Sequence, residues 1–366
     1  MSTAGFWMAI GAGMALVFMY AQSQGSWASL LRVGAQNPAL HRIQGELGPV
    51  HPPDPVGHDG QLTYLIARDP FGFDGTPAIL SAVDNNGPAY RYRRIFLPLL
   101  AGGAGTLNGK ATLVLLIALV AAGVGVSYVA VADLAFQQKI KGGIALLAMI
   151  NAGALNASML LMVDTMALGL ALCGIALRGR QHFRWSVFAL ACAAMTKETY
   201  ALVPMSLAAW DLAHRRYPTA ALGIAGVAPI ALWSIWTAVA FPGGAGGDRN
   251  LGLPFAGLIQ AIPHWIRYER FPPEIVLAIF ALLTFAGTAV CIARTWRQAL
   301  TYLMAPWFVL GLCSTILVWG KPHNAARSFA ILWPLMVLQV AKYHAAHPCS
   351  ETGDHSKTRR LTSRHI

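Results

Sequence analysis

Charge is what this chain has least of. Of 366 residues, Asp, Glu, Lys and Arg together make up 11%, against about 25% in a soluble domain. A surface this poor in charge cannot be solvated as a water-soluble globule, so the solvent implied is lipid. Acidic residues are the scarcer sign, 15 against 27 Lys and Arg. Cysteine is scarce as well. Four of the five cysteines lie in apolar runs (Cys173, Cys192, Cys291, Cys313), Cys349 lies in a polar tail, and none forms a CxxC. That spacing offers neither a disulfide framework nor a cysteine metal site and reads as small buried hydrophobes. There is no internal repeat and no inverted symmetry between the halves. The first apolar run, Phe6 to Tyr20, has no basic segment before it and no small-x-small cleavage site after it, which reads as an uncleaved first helix rather than a signal peptide.

Hydrophobic residues make up 56% of the chain, with 36 Gly and 11 Trp, a composition suited to helices packed in a bilayer and anchored by aromatics at its interfaces. The fold expected is an all-α polytopic transmembrane bundle of about ten helices. After the first run come apolar stretches at about 111–132, 144–162, 164–178, 185–197, 198–212, 219–241, 275–293, 299–319 and 328–342. Ile95 to Leu107 is too short to cross and reads as an interfacial or re-entrant helix. Residues 22–94 form a long polar first loop. Its Pro, Gly and Asp clusters mark turns between short helices, one of them over Gln61 to Arg68. One transmembrane domain is expected over 1–342, with a disordered, basic cytoplasmic tail over 343–366.

The net charge of +12 is explained without nucleic acid. Lys139 and Lys141, Arg178 to Arg184, Arg215 and Arg216, Arg294 and Arg297, and the tail around Lys357 fall on one side of the expected topology. The positive-inside rule makes that side cytoplasmic and puts both termini there. The basic residues then face anionic membrane lipid. The first loop, the turns at Asp164 and at Lys197-Glu198, and the Lys321–Arg327 turn fall outside.

Ionisable groups near membrane depth are costly and are functional candidates for that reason. Four places on the outer side carry them. His58-Asp59-Gly60-Gln61, with Tyr64, puts a carboxylate at a glycine-permitted turn: a general base or metal ligand, or a turn or cap residue ahead of a helix. Tyr90-Arg91-Tyr92-Arg93-Arg94 offers guanidinium forks to a phosphate, or snorkelling anchors. Thr196-Lys197-Glu198-Thr199, with Asp164 one hairpin earlier, is a charge pair in an apolar run, or a solvated turn with Asp164 as a helix cap. Lys321-Pro322-His323-Asn324-Ala325-Ala326-Arg327 is a cationic cluster for an anionic headgroup, or ordinary loop charge. Together they are what transfer from a lipid phosphate carrier needs. A base must activate the acceptor and cations must stabilise the leaving phosphate. Asp59, Arg91, Lys197 and Arg327 are then expected to converge on one outward cavity.

At these residues a resemblance enters. Gly57-His58-Asp59-Gly60-Gln61-Leu62-Thr63-Tyr64, then Asp84-Asn85 through Pro88-Ala89-Tyr90-Arg91-Tyr92-Arg93-Arg94-Ile95-Phe96-Leu97-Pro98-Leu99-Leu100, resembles bacterial multi-spanning proteins with a YDGQFYY … DNPAYRYQRILYPLL pattern. Thr196-Lys197-Glu198-Thr199 resembles their LTKET segment. Those proteins look like the GT-C superfamily of membrane glycosyltransferases, which includes the GPI mannosyltransferases and the polyprenyl-phosphate-sugar enzymes of bacterial envelopes. The likeness covers residues 1 to about 210. His58 stands where the pattern has an aromatic, and Asn86-Gly87 is a small insertion. The resemblance implies an inverting transferase on the extracytoplasmic face of the inner membrane. It takes a polyprenyl-phosphate-linked sugar as donor and a cell-envelope glycan or lipid as acceptor. Asp59 would be the general base and Glu198 would orient Lys197 or the acceptor. Arg91, Arg93, Arg94 and Lys197 would border the donor phosphate; the charge pattern, outside the stretch of likeness, adds Lys321 and Arg327 to the phosphate-holding set, with His58, Gln61, Tyr64, Asp84, Asp164 and His323 as further candidates. A Mg2+ or Mn2+ ion could bridge Asp59 and the phosphate. A transporter or flippase of lipid-linked sugars, or a non-catalytic membrane subunit of an envelope assembly complex, would also carry many helices and charges.

Overall fold

Helix Gly109–Gln137 shows why these runs fold as they do. It has no proline and only Lys110 and Asp133 as charged residues over 29 residues. At 1.5 Å per residue that is about 43 Å, more than the ~30 Å hydrocarbon core. The structure, a computed structural model, describes residues 2–50, 52, 55–84, 86–242, 248–268 and 272–346. Among them there is no strand, only two isolated bridges, Val33 to Gly57 and Leu251 to Ser314. The protein is a helical membrane protein.

Among the described residues four helices are long and apolar enough to cross a membrane: Thr3–Ser23, Gly109–Gln137, Tyr217–Ala240 and Pro272–Thr295. A fifth crossing is possible by length if Gly142–Met149 and Ala152–Met159, bent by 41°, count as one. The expected straight run at 144–162 is therefore broken. Asn151 breaks it: its Oδ1 accepts the Ala154 N–H at 3.1 Å as a cap, and its Nδ2 donates to the Ala330 carbonyl at 2.7 Å. The other five apolar runs form the helices Asp164–Gly179, Phe183–Thr196, Leu202–Ala213, Ala299–Leu312 and Leu332–Ala346, of 16, 14, 12, 14 and 15 residues. These reach about 18–24 Å. The last helix runs four residues past the expected boundary at 342, and the tail from 347 onward lies outside the described residues. Ile95 to Leu107 becomes the six-residue helix Phe96–Ala101 followed by turns.

Helices Gly109–Gln137 and Asp164–Gly179 meet backbone to backbone. A Cβ at Gly123 would lie 2.7 Å from the Met166 Cα, and one at Gly169 would lie 2.3 Å from the Gly123 carbonyl oxygen. Small residues at such crossings are the usual route to tight packing in lipid.

The charged groups form two layers at opposite ends of Asp164–Gly179, about 22 Å apart at 1.5 Å per residue. At the Gly179 end Arg178 pairs with Asp211, and Arg180 grips Asp133. At the Asp164 end stand the short helices of the first loop: Leu40–Leu47, Asp59–Arg68, Thr76–Val83 and Gly87–Tyr92. The first loop is thus a set of short helices packed onto one end of the bundle.

Candidate functional site

Asp59 is the first residue of helix Asp59–Arg68, and His58 is the cap position. The Asp59 carboxylate does not cap the helix. Instead Gln61, 2% exposed, ties the helix start to the loop before it. Its Oε1 accepts the Gly34 N–H at 2.9 Å and the Asn37 Nδ2 at 2.7 Å, and its Nε2 donates to the Val56 carbonyl at 2.9 Å. Gln61 is therefore a brace, not a ligand-facing group. The glycine after Asp59 has a different role from the one expected. The positive φ, +80°, belongs to Gly57, whereas a Cβ on Gly60 would lie 2.5 Å from the Leu160 carbonyl oxygen. Gly60 lets the helix sit against the loop that leads to Asp164.

Two arginines from distant parts of the chain hold the Asp59 carboxylate. Arg91, on helix Gly87–Tyr92, donates to Oδ1 at 3.1 Å, and Arg327, on helix Pro322–Ser328, donates to Oδ2 at 2.9 Å. Arg91 also pairs with Asp84, whose Oδ1 accepts the Asn86 backbone N–H at 3.1 Å. Arg327 also lies 3.5 Å from Asp164 and takes Asn324 Oδ1 at 3.1 Å. Burial would raise the pKa of Asp59, but Arg91, Arg327 and Arg94 outweigh it and hold the carboxyl well below its ordinary value.

The Lys197-Glu198 pair does not pair with itself. Lys197 leaves helix Phe183–Thr196 in an extended conformation, φ −150°, and its ammonium meets Asp164. Asp164 is 3% and Lys197 6% exposed. Asp164 caps nothing. Glu198 takes Arg94 in a two-pronged pair, both bonds 3.0 Å, and Arg94 in turn lies over the Tyr90 ring, 4.7 Å from its centre. The expectation that Glu198 orients Lys197 is corrected: a residue next to Lys197 along the chain points its carboxylate elsewhere.

These groups border a cavity of about 460 Å³, within the usual range for ligand sites. Asp59, Asp84, Arg91, Arg94, Lys197 and Arg327 form its charged end, joined by Tyr90, Asn324 and Ser328. Trp307, Leu310, Leu317, Val318 and Phe329 form an apolar wall. The four residues expected to converge do so. Several other candidates stand outside. Tyr64 bonds Glu46, which also takes Arg68 at 2.9 Å, and burial with that partner raises the Tyr64 pKa. The half-buried Arg93 does not line the cavity, and its Nε has no partner among the described residues. Lys321 is exposed and does not line this cavity. His323 Nδ1 lies 2.8 Å from Glu274 Oε1, with the His58 ring 6.1 Å away from the His323 ring. Glu198 acts through Arg94 and is not itself on the cavity wall.

Sequence reading missed Trp307, Leu310 and Arg249, which also line the cavity. A tryptophan in an apolar run looks like any core aromatic, and no local signal separates it. Among the described residues no group of three His, Cys, Asp or Glu could hold a metal ion. Asp59, Asp84, Asp164 and Glu198 are each taken by a cation. With the acids engaged in this way, it is Arg91, Arg94, Lys197 and Arg327 that the cavity offers, and they suit an anion. Compared with family models, with curated proteins and with solved structures, the chain matches none.

Proposed function

We propose that this chain is a membrane glycosyltransferase of the GT-C kind, moving a sugar from a polyprenyl-phosphate donor to a cell-envelope glycan or lipid. The reading places it in the inner membrane with about ten crossings, counting the short apolar helices, with the site outside and both termini cytoplasmic. One observation carries it. A carboxylate held between two guanidiniums, with a third guanidinium and an ammonium beside it, faces a cavity whose other wall is apolar. A lipid-linked sugar phosphate has the matching halves.

Asp59 takes the proton of the acceptor hydroxyl as its oxygen attacks the anomeric carbon. The bond from that carbon to the phosphate oxygen breaks, with inversion, and the lipid phosphate leaves with the electron pair. Arg91, Arg94, Lys197 and Arg327 stabilise its charge. Held by Arg91 and Arg327, Asp59 is a poor base, because the two arginines favour its ionised form. A donor phosphate competes for those same arginines, and as they turn to it the pKa of Asp59 rises toward a useful value. Glu198 keeps Arg94 in place.

The test uses membranes containing the protein and radiolabelled polyprenyl-phosphate sugars. The wild type transfers label to a glycan or lipid fraction. Asp59→Asn loses roughly 10²–10⁴-fold, the usual worth of a general base, while Arg93→Ala, outside the cavity, retains transfer. Transfer that survives Asp59→Asn removes the base assignment. A wild type that transfers from no lipid-linked donor overturns the reading and leaves the flippase or the non-catalytic subunit.

A further inference from the structure

Helix Ala256–Tyr268 presents three different faces. At about 100° per residue, Gly257, Ala261 and Trp265 fall on one arc, and all three are buried. Gly257 leaves no room for a Cβ against the Ser314 carbonyl, and the Trp265 indole N–H donates to the Trp319 carbonyl at 2.7 Å. This arc fixes the helix along residues 314–319. Ile259, Ile262 and Ile266, with Phe255 just before the helix, fall on a second arc and are 66%, 41%, 75% and 50% exposed. Gln260 and Arg267, both exposed, fall on a third. The three arcs point about 120° apart.

Each face calls for a different neighbour. A surface helix of a soluble protein divides between core and water, and a stripe of exposed isoleucines is not a solvated face. Nor is this a span. At 13 residues the helix reaches only about 20 Å. A helix lying in the membrane plane meets protein, acyl chains and headgroups at once. Lipid, rather than a second chain, is the occupant of the apolar arc, because exposed apolar chain runs into it from both ends. Leu253 is exposed before it, and Ile275 and Val276 are exposed after it, in the first turn of the span Pro272–Thr295. On the polar arc, Arg267 is a cation suited to phosphate headgroups.

We propose that Ala256–Tyr268 is an in-plane membrane helix in the leaflet on the Asp59 side. Phe255, Ile259, Ile262 and Ile266 lie about 5–10 Å into the boundary between headgroups and acyl chains, with Gln260 and Arg267 among the headgroups. The side follows from the packed arc, since Leu317 and Val318, within the stretch it rests on, wall the cavity that holds Asp59. The helix also sets the depth of the cavity mouth. Leu251 lines the cavity and is itself 52% exposed. The Gly252 N–H donates to the Cys313 carbonyl and the Phe255 N–H to the Leu312 carbonyl, both at 2.7 Å, and the Thr315 N–H donates to the Asn250 carbonyl at 2.9 Å. These bonds tie the strip before the helix to the cavity wall, so Leu251 stands at lipid depth. The apolar part of a ligand then meets the cavity from the bilayer. The partner is the bilayer itself, and the inference is independent of the chemistry proposed above.

The experiment reads depth in the full chain, reconstituted in nanodiscs of phosphatidylcholine and phosphatidylglycerol. Ile259→Cys, Ile266→Cys, Gln260→Cys and Leu251→Cys are each made in a cysteine-free background and labelled with an environment-sensitive fluorophore. Quenching is compared between iodide in water and nitroxides carried on the lipid headgroup, near the top of the acyl chain, or at its end. The Ile259 and Ile266 labels are quenched most by the nitroxide near the top of the chain, and several-fold less by iodide than the Gln260 label. The Leu251 label is quenched by the same lipid. Iodide quenching of the isoleucine labels equal to that of the Gln260 label overturns the proposal, since the face is then in water. Strongest quenching from the chain end overturns it too, since the helix is then inside the hydrocarbon. So does protection from iodide and from every lipid, since protein then covers the face. A Leu251 label reached by iodide alone overturns the placement of the mouth. Where the background does not fold, the wild type is reconstituted with a phosphatidylcholine carrying a diazirine on its upper acyl chain. Adducts within residues 255–267 support the in-plane helix, and their absence there while the span Pro272–Thr295 is labelled overturns it.

Discussion

Asp164 and Lys197 make the sharpest test of how the site is built. Both are nearly fully buried, at 3% and 6% exposure; Asp164 opens helix Asp164–Gly179, and Lys197 ends the next helix, Phe183–Thr196. Removing one partner of a buried pair costs about 3–5 kcal/mol, because the other charge is stranded. The two single variants are not equivalent. In Lys197→Met the stranded Asp164 still has Arg327 at 3.5 Å, so the cost falls near the lower end, about 3 kcal/mol. In Asp164→Asn the stranded Lys197 keeps no acid of its own, since Glu198 is committed to Arg94, and the cost is nearer 5 kcal/mol. The double variant strands neither charge, so it costs less than the roughly 8 kcal/mol sum of the singles, by a coupling of about 2–3 kcal/mol. Denaturant unfolding in mixed micelles reads all four proteins. Transfer activity separates structure from chemistry: it stays low in the double variant, because the lysine that would meet the phosphate is gone. Single variants within 1 kcal/mol of the wild type, or strictly additive costs, would refute the buried pair and return this turn to a solvated one.

Three further outcomes follow from the same geometry. The Asp59 carboxyl is held below its ordinary value, so the stability it contributes is complete above about pH 4 and is lost only as pH falls through its folded pKa. Burial raises Glu46, but Tyr64 and Arg68 outweigh it, and it behaves in the same sense. Melting should therefore be insensitive to these groups between pH 8 and 5, and kcat/KM for transfer should show no acid limb in that window. An acid limb centred near 6 to 7 is incompatible with Asp59 sitting between Arg91 and Arg327. Glu198→Gln gives up charge-assisted bonds worth about 1.5–3 kcal/mol and lets Arg94 drift; steady-state kinetics should show a raised KM for the donor, and an unchanged KM removes Arg94 from the phosphate site. Gly60→Ala puts a Cβ 2.5 Å from the Leu160 carbonyl. Overpacking of this sort costs about 1–3 kcal/mol, and a displacement of Asp59 near 1 Å would lower transfer about 100-fold. Gly45→Ala, with open space around it in helix Leu40–Leu47, is the control: transfer is unchanged and stability rises by up to about 1 kcal/mol.

Where the sequence reading succeeded, the reason was local. Helix Gln61 to Arg68 was legible from its turn residues and extends back only to Asp59. The long apolar runs at 111–132 and 275–293 are helices because nothing in them competes with intrahelical hydrogen bonds. It failed where a local pattern has two readings. The run at 144–162 looked continuous, since a single asparagine in apolar surroundings does not announce that it will cap a new helix. Gln61 and Tyr64 looked functional because they stand close to Asp59 in the chain, yet they point to Asn37 and Glu46.

From composition and charge spacing alone, the chain is a helical membrane protein whose ionisable groups cluster at turns. Solvation of an apolar surface and the cost of isolated charge both follow from residue type. Which charge meets which is another matter. Lys197 takes Asp164 and not its neighbour Glu198, Glu198 takes Arg94, and Arg327 reaches Asp59 across 268 positions of sequence. Trp307 and Thr199 share a cavity wall though more than a hundred residues apart. Adjacent residues leave the backbone in different directions, and contacts between distant ones depend on how the helices pack, so only the tertiary structure decides the partners from which a site is made.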